Sequence, residues 1–187
     1  MNEFSVPQQS PNFIAGWYIN EDVCDGLISF FEESDKKKPG AIGAGVNEDF
    51  KISTDVTVIP RNPDSRIQDY LEELSNVCKE YILKYPWCST NQDVWGLNTN
   101  FNIQRYNPSE GFFGWHTERS TMSDLVATRH LVFMTYLNTV TDGGETEWFH
   151  QQIKIQPRKG LTVMWPVDWT HVHRGVPSKT QTKYITT

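Results

Sequence analysis

The sequence has few cysteines, fewer basic than acidic residues and no long apolar run. Its three cysteines, Cys24, Cys78 and Cys88, are spread over 187 residues, and no Cys-x-x-Cys pair occurs. An odd number of widely spaced cysteines argues against a small disulfide-bonded scaffold. Free thiols in a reducing compartment are the simplest interpretation.

The shortage of basic residues limits the partners that the chain can bind. There are 17 Lys and Arg against 23 Asp and Glu, for a formal net charge of −6. No stripe of Lys and Arg is present, which argues against a general nucleic-acid-binding protein. The one basic run, Lys36–Lys38, lies beside Glu32, Glu33 and Asp35. We interpret it as the solvated end of a helix.

Segments that would direct the chain to a membrane are also missing. No apolar run approaches the roughly 20 residues that a membrane-spanning helix needs. The first residues, Met1–Pro7, have neither the basic region nor the apolar region of a secretory signal. We therefore expect a cytoplasmic protein without a membrane partner.

What the sequence does contain is typical of a folded protein. Hydrophobic residues make up 37% and aromatic residues 13%, which argues against a disordered chain. The length favours a single domain over residues 1–187. Residues 1–12 are polar and contain Pro7 and Pro11, so we expect them to form a flexible arm.

Two helices are predicted in the N-terminal half. Asn20 is a candidate N-cap, and apolar residues then recur at helical spacing to about Asp35. Asn62 is a second candidate N-cap with Pro63 at the first helical position. The apolar face that follows ends before Pro86, where the helix should end.

The second half of the chain has the alternation of β-strands. Together with one earlier strand, this predicts an α+β protein in which N-terminal helices brace a sheet or barrel. The predicted strands are Val56–Ile59, Phe101–Arg105, His130–Asn138, Thr146–Phe149, Ile153–Ile155, Leu161–Trp165, His171–Val176 and Lys183–Thr186.

One short motif in this half has the composition of a metal site. His116 and Glu118 are two residues apart, and on a strand their side chains point to the same face. A third ligand must come from another strand, and His171 and His173 are the candidates. Two imidazoles and one carboxylate suit Fe(II) and leave positions free for a co-substrate and O2.

Several motifs in order make the chain resemble a known family. From Phe101 to Tyr184 it is similar to the Fe(II)/2-oxoglutarate-dependent dioxygenases of the prolyl-4-hydroxylase type, and most of all to small phage and bacterial members. The resemblance implies a double-stranded β-helix, or jelly roll, with iron in its mouth. The motifs are Arg105–Pro108, His116–Glu118, Tyr136–Asn138, Gly143–Thr146, Pro157–Gly160, His173–Pro177 and Lys183–Tyr184.

The resemblance assigns the metal ligands residue by residue. His116 and Glu118 match the family's His-x-Asp pair, and Glu departs from it by one methylene, which bears on geometry and metal affinity. His173 matches the distal His because Pro177 lies four residues beyond it, whereas His171 lacks that register. If His171 is not the ligand, its alternative role is to support the ligands from behind or to face the substrate.

The resemblance also implies a co-substrate site. Lys183 matches the basic residue that binds the distal carboxylate of 2-oxoglutarate. Tyr136 matches a tyrosine whose hydroxyl assists that contact, and Tyr106 matches one close to the iron and the co-substrate. Each tyrosine has packing in the core as its alternative. The implied cofactors are Fe(II), 2-oxoglutarate and O2, with ascorbate as a candidate reductant.

The expected reaction is hydroxylation of a C–H bond, and a prolyl residue in a peptide or protein is the first candidate substrate. A free amino acid or another small molecule is the second. A cupin-like protein that binds metal as a sensor, without turnover, is an alternative of another class. Trp148, Trp165 and Trp169 are candidates for a substrate groove or for the core.

Overall fold

A computed structural model of the chain describes residues 11–43, 45–89, 95–97, 99–121 and 123–187. Residues 1–10 of the predicted arm lie outside the described residues. Asn12, at the end of that arm, is held in place: its carbonyl oxygen accepts a hydrogen bond from Nε2 of His171 at 2.9 Å. No helix in the described part of the chain has both the length and the apolar character of a membrane span.

Helices dominate the first half and strands the second. The helices are α1 (Glu21–Glu33), α2 (Ser65–Lys84) and the short α3 (Asp124–Ala127), with single 3-10 turns at Pro86–Cys88 and Trp169–His171. The strands are β1 (Ala15–Tyr18), β2 (Lys38–Pro39), β3 (Thr54–Val58), β4 (Phe101–Tyr106), β5 (Leu131–Tyr136), β6 (Thr146–Trp148), β7 (Ile153–Ile155), β8 (Leu161–Pro166), β9 (His173–Gly175) and β10 (Lys183–Thr186).

The strands form two antiparallel sheets. The larger has seven strands in the order β1-β8-β5-β10-β4-β3-β2, and the smaller has three in the order β7-β6-β9. Within the described residues the two sheets do not join into a closed barrel. Most of the central pairings join non-consecutive strands (β1 with β8, β8 with β5, β5 with β10, β10 with β4, and β6 with β9), as in a jelly roll. The predicted α+β class with a jelly-roll sheet pair is confirmed.

The start of α1 follows the prediction. The side chain of Asn20 accepts a hydrogen bond from the backbone N–H of Asp22 at 3.0 Å, which satisfies one of the free donors of the first turn. The helix ends at Glu33, slightly earlier than expected. Its buried face carries Leu27 and Phe31.

The predicted start of α2 was wrong. Asp64, not Asn62, is the N-cap, and its Oδ1 accepts from the backbone N–H of Arg66 at 3.0 Å. The same carboxylate also accepts hydrogen bonds from the guanidinium of Arg66 through both of its oxygens. The single oxygen of an Asn amide could not make all of these bonds. Asn62 instead accepts from the N–H of Asp64 at 3.0 Å. Pro63 therefore precedes the cap.

One predicted strand also begins too early. The segment from His171 was expected to be extended, but His171 ends the 3-10 turn at Trp169–His171 and β9 starts only at His173. The two histidines therefore do not share a strand face. This difference decides which of them reaches the metal cluster described below.

The core has two parts, one on each side of the larger sheet. In the first, α1 and α2 pack on that sheet through buried residues such as Phe31, Ile67 and Tyr70. In the second, residues of both sheets pack together, including Trp148 and Trp165. These two tryptophans therefore lie in the core, which was one of their two predicted places.

A buried polar network connects β3 to β4 beside the second part of the core. Nζ of Lys51 donates to Oδ2 of Asp55 at 2.8 Å, and Oγ of Ser53 donates to Oδ1 at 2.7 Å. Nε2 of Gln104 donates to Asp55 at 3.2 Å, so its Oε1 is left to accept from the hydroxyl of Tyr106 at 2.8 Å. This network fixes the orientation of the Tyr106 hydroxyl.

The Asp55→Asn variant is expected to lower the free energy of unfolding by about 3–5 kcal/mol, because the buried Lys51 charge loses its partner. Urea denaturation measures the loss. The double variant Lys51→Met/Asp55→Asn removes both charges and should recover most of the stability. A single variant as stable as the parent protein would show that the pair is not an obligatory part of the fold.

Candidate metal centre and co-substrate pocket

Backbone pairing brings two of the predicted ligands together. The N–H of His116 donates to the carbonyl of His173 at 3.0 Å, and the N–H of His173 donates back to the carbonyl of His116 at 3.0 Å. The ring centroids consequently lie 4.3 Å apart. His116 forms this isolated bridge rather than part of a regular strand, so the strand expected to carry His116 and Glu118 is absent there.

Glu118 completes the cluster. Its Oε1 lies 3.5 Å from Nε2 of His116 and 3.6 Å from Nε2 of His173. One donor atom from each of the three residues lies within 4.8 Å of the others. Donor atoms that each lie about 2 Å from one ion are roughly 3–4 Å from one another, which matches the two distances from Oε1 of Glu118. The donor set therefore fits a divalent transition-metal ion.

Hydrogen bonds fix the tautomers of both imidazoles. Nδ1 of His116 lies 2.9 Å from the carbonyl oxygen of Gly114, and Nδ1 of His173 lies 2.9 Å from that of His171. A carbonyl oxygen can only accept, so each Nδ1 must carry the proton. In the neutral ring, the form that binds a metal, each Nε2 then presents a lone pair to the cluster.

The charge states also suit metal binding. Burial raises the pKa of Glu118, but the proximity of His116 and His173 outweighs this and holds the pKa well below its usual range. Burial lowers the pKa of His173. The carboxylate is thus ionised and the imidazole neutral near pH 7, which are the forms that bind a metal.

Aromatic side chains surround the ligands. The ring of Phe112 stacks on that of His116 with centroids 3.7 Å apart and planes at 7°. Trp165 contacts His173 edge-on at 5.0 Å. These contacts restrict both imidazoles and keep apolar surface around the cluster.

The alternative ligand, His171, lies outside the cluster. Its Nε2 bonds the carbonyl of Asn12 at 2.9 Å, and its Nδ1 lies 2.9 Å from Oγ1 of Thr170. Its backbone carbonyl, by contrast, receives the Nδ1 proton of His173. The structure therefore places His173 beside His116 and Glu118 and leaves His171 behind these three side chains.

Lys183 is a buried cation in the same cavity. It pairs in register with Tyr106 across β10 and β4, and its Nζ lies 4.9 Å from the centre of the Tyr106 ring. Among the described residues no carboxylate lies within 4.0 Å of Nζ. Burial lowers the pKa of Lys183 to about 8, and the charge of Glu145 partly opposes this. A buried cation of this kind favours an anionic ligand.

A glycine turn supplies the hydrogen-bond partner of Lys183. The carbonyl of Gly144 accepts from Nζ at 3.0 Å. Gly143 and Gly144 both have positive φ, at 121° and 79°, and a Cβ on Gly143 would lie 2.5 Å from the carbonyl oxygen of Pro177. Only glycine fits this turn without strain.

The two predicted co-substrate tyrosines lie in different places. Tyr106 lines the cavity, and burial holds the pKa of its hydroxyl well above the usual range. The hydroxyl of Tyr136 is buried behind the cavity wall, 2.7 Å from Oγ1 of Thr146 and 3.2 Å from the carbonyl of Ile155. Thr146 stands between it and the cavity.

The cavity that contains these groups is wide. Its volume is about 1670 Å³, larger than the roughly 300–1,000 Å³ of a usual small-molecule site. It reaches from Lys183 past the metal cluster to Trp115 and Arg174.

An exposed row of aromatic rings, here called the aromatic ridge, continues outward from Trp115. Ring centroids are 5.3 Å apart between Trp115 and Phe149, 5.3 Å between Phe149 and His150, and 6.2 Å between His150 and Trp169. Phe149 is 57% and Trp169 72% exposed. Arg174 lies 4.4 Å over the ring of Trp115. Trp169 is therefore a surface residue at the outer end of this ridge, not a core residue.

Arg129 is a further residue at the cluster, and no sequence motif pointed to it. Its Nη1 lies 3.1 Å from Oε2 of Glu118 and donates to the Glu118 carbonyl at 2.9 Å. Arg129 stands in no periodic relation to Glu118, and a single sequence offers no other signal for such a contact.

Comparisons with known proteins agree with this geometry. Residues 101–187, which carry the whole cluster and Lys183, match the model of the 2OG-Fe(II) oxygenase superfamily. A search of curated protein sequences gave no significant match.

Solved structures share the fold. A viral collagen prolyl hydroxylase from Paramecium bursaria Chlorella virus-1, solved as a complex with 2-oxoglutarate, has a TM-score of 0.67 at 20% identity and covers 93% of each chain. A prolyl-4-hydroxylase from Pseudomonas putida has a TM-score of 0.68 at 15% identity, over 92% of this chain and 89% of its own.

A third neighbour is a prolyl hydroxylase from Trichoplax adhaerens, solved with a peptide fragment of the hypoxia inducible factor oxygen degradation domain. Its TM-score is 0.68 at 15% identity, over 94% of this chain and 81% of its own. At these identities the neighbours establish the fold, and the family match indicates the chemistry of residues 101–187. Residues 101–187 match the 2OG-Fe(II) oxygenase superfamily and the chain has the prolyl-hydroxylase fold, which together support a 2-oxoglutarate-dependent dioxygenase that uses Fe(II), 2-oxoglutarate and O2.

Proposed function

We propose that His116, Glu118 and His173 hold Fe(II) and that the enzyme hydroxylates a prolyl residue in a peptide or protein. The convergence of two Nε2 lone pairs and one carboxylate oxygen on a single point carries the metal assignment. When bound, Fe(II) with 2-oxoglutarate and O2 supplies the oxidising chemistry, and 2-oxoglutarate is released as succinate and CO2. The protein contributes position, charge and exclusion of water.

Lys183 neutralises the distal carboxylate of 2-oxoglutarate in this proposal. Its Nζ is buried in the cavity with a carbonyl as its hydrogen-bond partner, so an entering carboxylate gains a charge-assisted hydrogen bond. Tyr106 forms the wall beneath Nζ, and its hydroxyl is oriented by Gln104. Tyr136 acts through Thr146, whose hydroxyl it positions at the cavity wall.

The shape of the site favours a polypeptide over a free amino acid. The cavity opens beside Trp115 onto the aromatic ridge, which a small molecule would leave uncovered. Proline-rich segments in extended helical form dock on aromatic surfaces of this kind. That the Trichoplax neighbour was solved with a peptide fragment is consistent with such a substrate.

A metal-binding sensor without turnover is less well supported. Such a protein needs the three metal ligands but has no use for a buried cation beside them. Keeping Lys183 charged in an apolar setting is costly unless an anion joins it.

His116→Ala and His173→Ala should each reduce succinate formation to background, because each removes a metal ligand. His171→Ala is the matched control and should retain turnover, since only its backbone carbonyl contacts His173. Succinate is measured with Fe(II), 2-oxoglutarate, ascorbate and O2. If His171→Ala is inactive and His173→Ala is active, the distal ligand has been assigned to the wrong histidine.

Lys183→Met should raise the KM for 2-oxoglutarate by about 10- to 100-fold, as expected for loss of a charged hydrogen bond of about 1.5–3 kcal/mol. Lys183→Arg keeps the charge and should recover part of the affinity. The assay is succinate formation at varied 2-oxoglutarate.

The pH dependence gives a second readout of the same contact. Lys183 has a pKa lowered to about 8, so it is charged below that pH and loses its charge above it. Binding of 2-oxoglutarate should therefore weaken as the pH rises through about 8 in the parent protein and stay flat in Lys183→Met. An equal pH dependence in both proteins contradicts the assignment.

Truncating the aromatic ridge should impair peptide binding and leave chemistry intact. Phe149→Ala and Trp169→Ala should each raise the KM for a proline-rich peptide at least roughly fivefold, for a loss of about 1 kcal/mol or more. Peptide-independent succinate formation should not change. Leu83→Ala on α2, which also removes an exposed apolar side chain, is the control. If the ridge variants match Leu83→Ala, the ridge does not bind the substrate.

A further inference from the structure

The two oxygens of the Glu118 carboxylate have different partners. Oε1 faces Nε2 of His116 and Nε2 of His173, at 3.5 and 3.6 Å. Oε2 lies 3.1 Å from Nη1 of Arg129, and the same nitrogen donates to the backbone carbonyl of Glu118 at 2.9 Å. One oxygen is directed to the proposed metal position and the other is directed away from it.

The backbone of Arg129 is anchored close to Glu118. Its carbonyl accepts a hydrogen bond from Nη2 of Arg119, and Nη1 of Arg119 lies 3.3 Å from Oδ1 of Asp168. The N–H of Arg119 also bonds the carbonyl of Val167 at 3.3 Å. This anchoring of the Arg129 backbone distinguishes the contact from an ion pair between two mobile surface side chains.

A glutamate ligand needs such a restraint more than an aspartate does. Its additional methylene gives the carboxylate another rotatable bond, and a carboxylate that turns freely can bind a metal through both oxygens. A second oxygen on the metal would occupy one of the positions that an iron oxygenase leaves open for its co-substrate and O2.

We propose that Arg129 is a positioning residue that holds Oε2 of Glu118 off the metal, so that this glutamate binds through one oxygen only. The inference rests on the proposed metal site and adds to it a guanidinium behind the carboxylate. It explains how this chain accommodates Glu at the place of the family's Asp.

The experiment uses Co(II) in place of Fe(II), because its visible absorption reports the number of ligands without turnover. Arg129→Met should bind Co(II) with the stoichiometry of the parent protein but with a changed spectrum. Binding of 2-oxoglutarate to the Co(II) protein should weaken roughly 10-fold or more, the usual scale for residues behind metal ligands. Arg129→Lys should recover part of this loss.

Two further variants make the test specific. Arg66→Met removes an arginine that lies outside the cluster, where its Nη1 is 2.8 Å from Oε2 of Glu33. This variant should behave as the parent protein does. In a Glu118→Asp background the shorter side chain reaches Arg129 less well, so Arg129→Met should have a smaller effect there than in the parent.

Each contrary outcome has a distinct meaning. If Arg129→Met keeps the parent spectrum and 2-oxoglutarate affinity, the contact is a surface ion pair and the inference is wrong. If its effect is equally large in the Glu118→Asp background, Arg129 acts on something other than the carboxylate and the inference is also wrong. Failure of the parent protein itself to bind Co(II) would overturn the proposed metal site and the inference with it.

Discussion

The pair of backbone hydrogen bonds between His116 and His173 is the constraint on which the site depends. Because each residue both donates to and accepts from the other, the two imidazoles emerge side by side. β9 continues the constraint, since His173 also pairs with Trp148 of β6. The distance between the donors is thus set by the backbone of the smaller sheet, and the carbonyls of Gly114 and His171 then set the ring orientations. Glu118 is the candidate ligand that the sheet does not fix, and it has the guanidinium of Arg129 as an additional partner.

The cavity contains two buried lysines with opposite electrostatic situations. Lys51 is neutralised within the fold by Asp55, and that pair supports the chain of hydrogen bonds that ends at Tyr106. Lys183 has the carbonyl of Gly144 and the ring of Tyr106 as its near contacts. The two lysines are equally buried, but Lys51 stabilises the fold through its pair with Asp55, whereas Lys183 remains able to attract an anion. Binding of a dicarboxylate at Lys183 would relieve a cost that folding alone leaves in place.

Much of this architecture is predictable from the sequence, and the failures have identifiable causes. Periodicity located the helices and strands because each buries one face, and the order of motifs located the family. The cap of α2 was misplaced because Asn62 and Asp64 can both present an oxygen, and only the folded chain shows that Asp64 also binds Arg66. Contacts such as that between Arg129 and Glu118 follow from how loops meet in space, for which residue spacing gives no signal. Exposure of Trp169 was equally hidden, because aromatic residues populate cores and binding surfaces alike.

The turn at Gly143 and Gly144 has a consequence for how this protein can diversify. In isolation it is an ordinary link between strands, and such links usually accept substitution. Here the left-handed backbone of both residues and the close approach of Pro177 direct one carbonyl at the cation of the pocket. A side chain at either position would displace that carbonyl without touching any bound molecule. With Lys183 in its proposed role, drift in this turn would alter co-substrate selectivity from a distance, and a comparison of natural variants that scored it as a plain connection would overlook this effect.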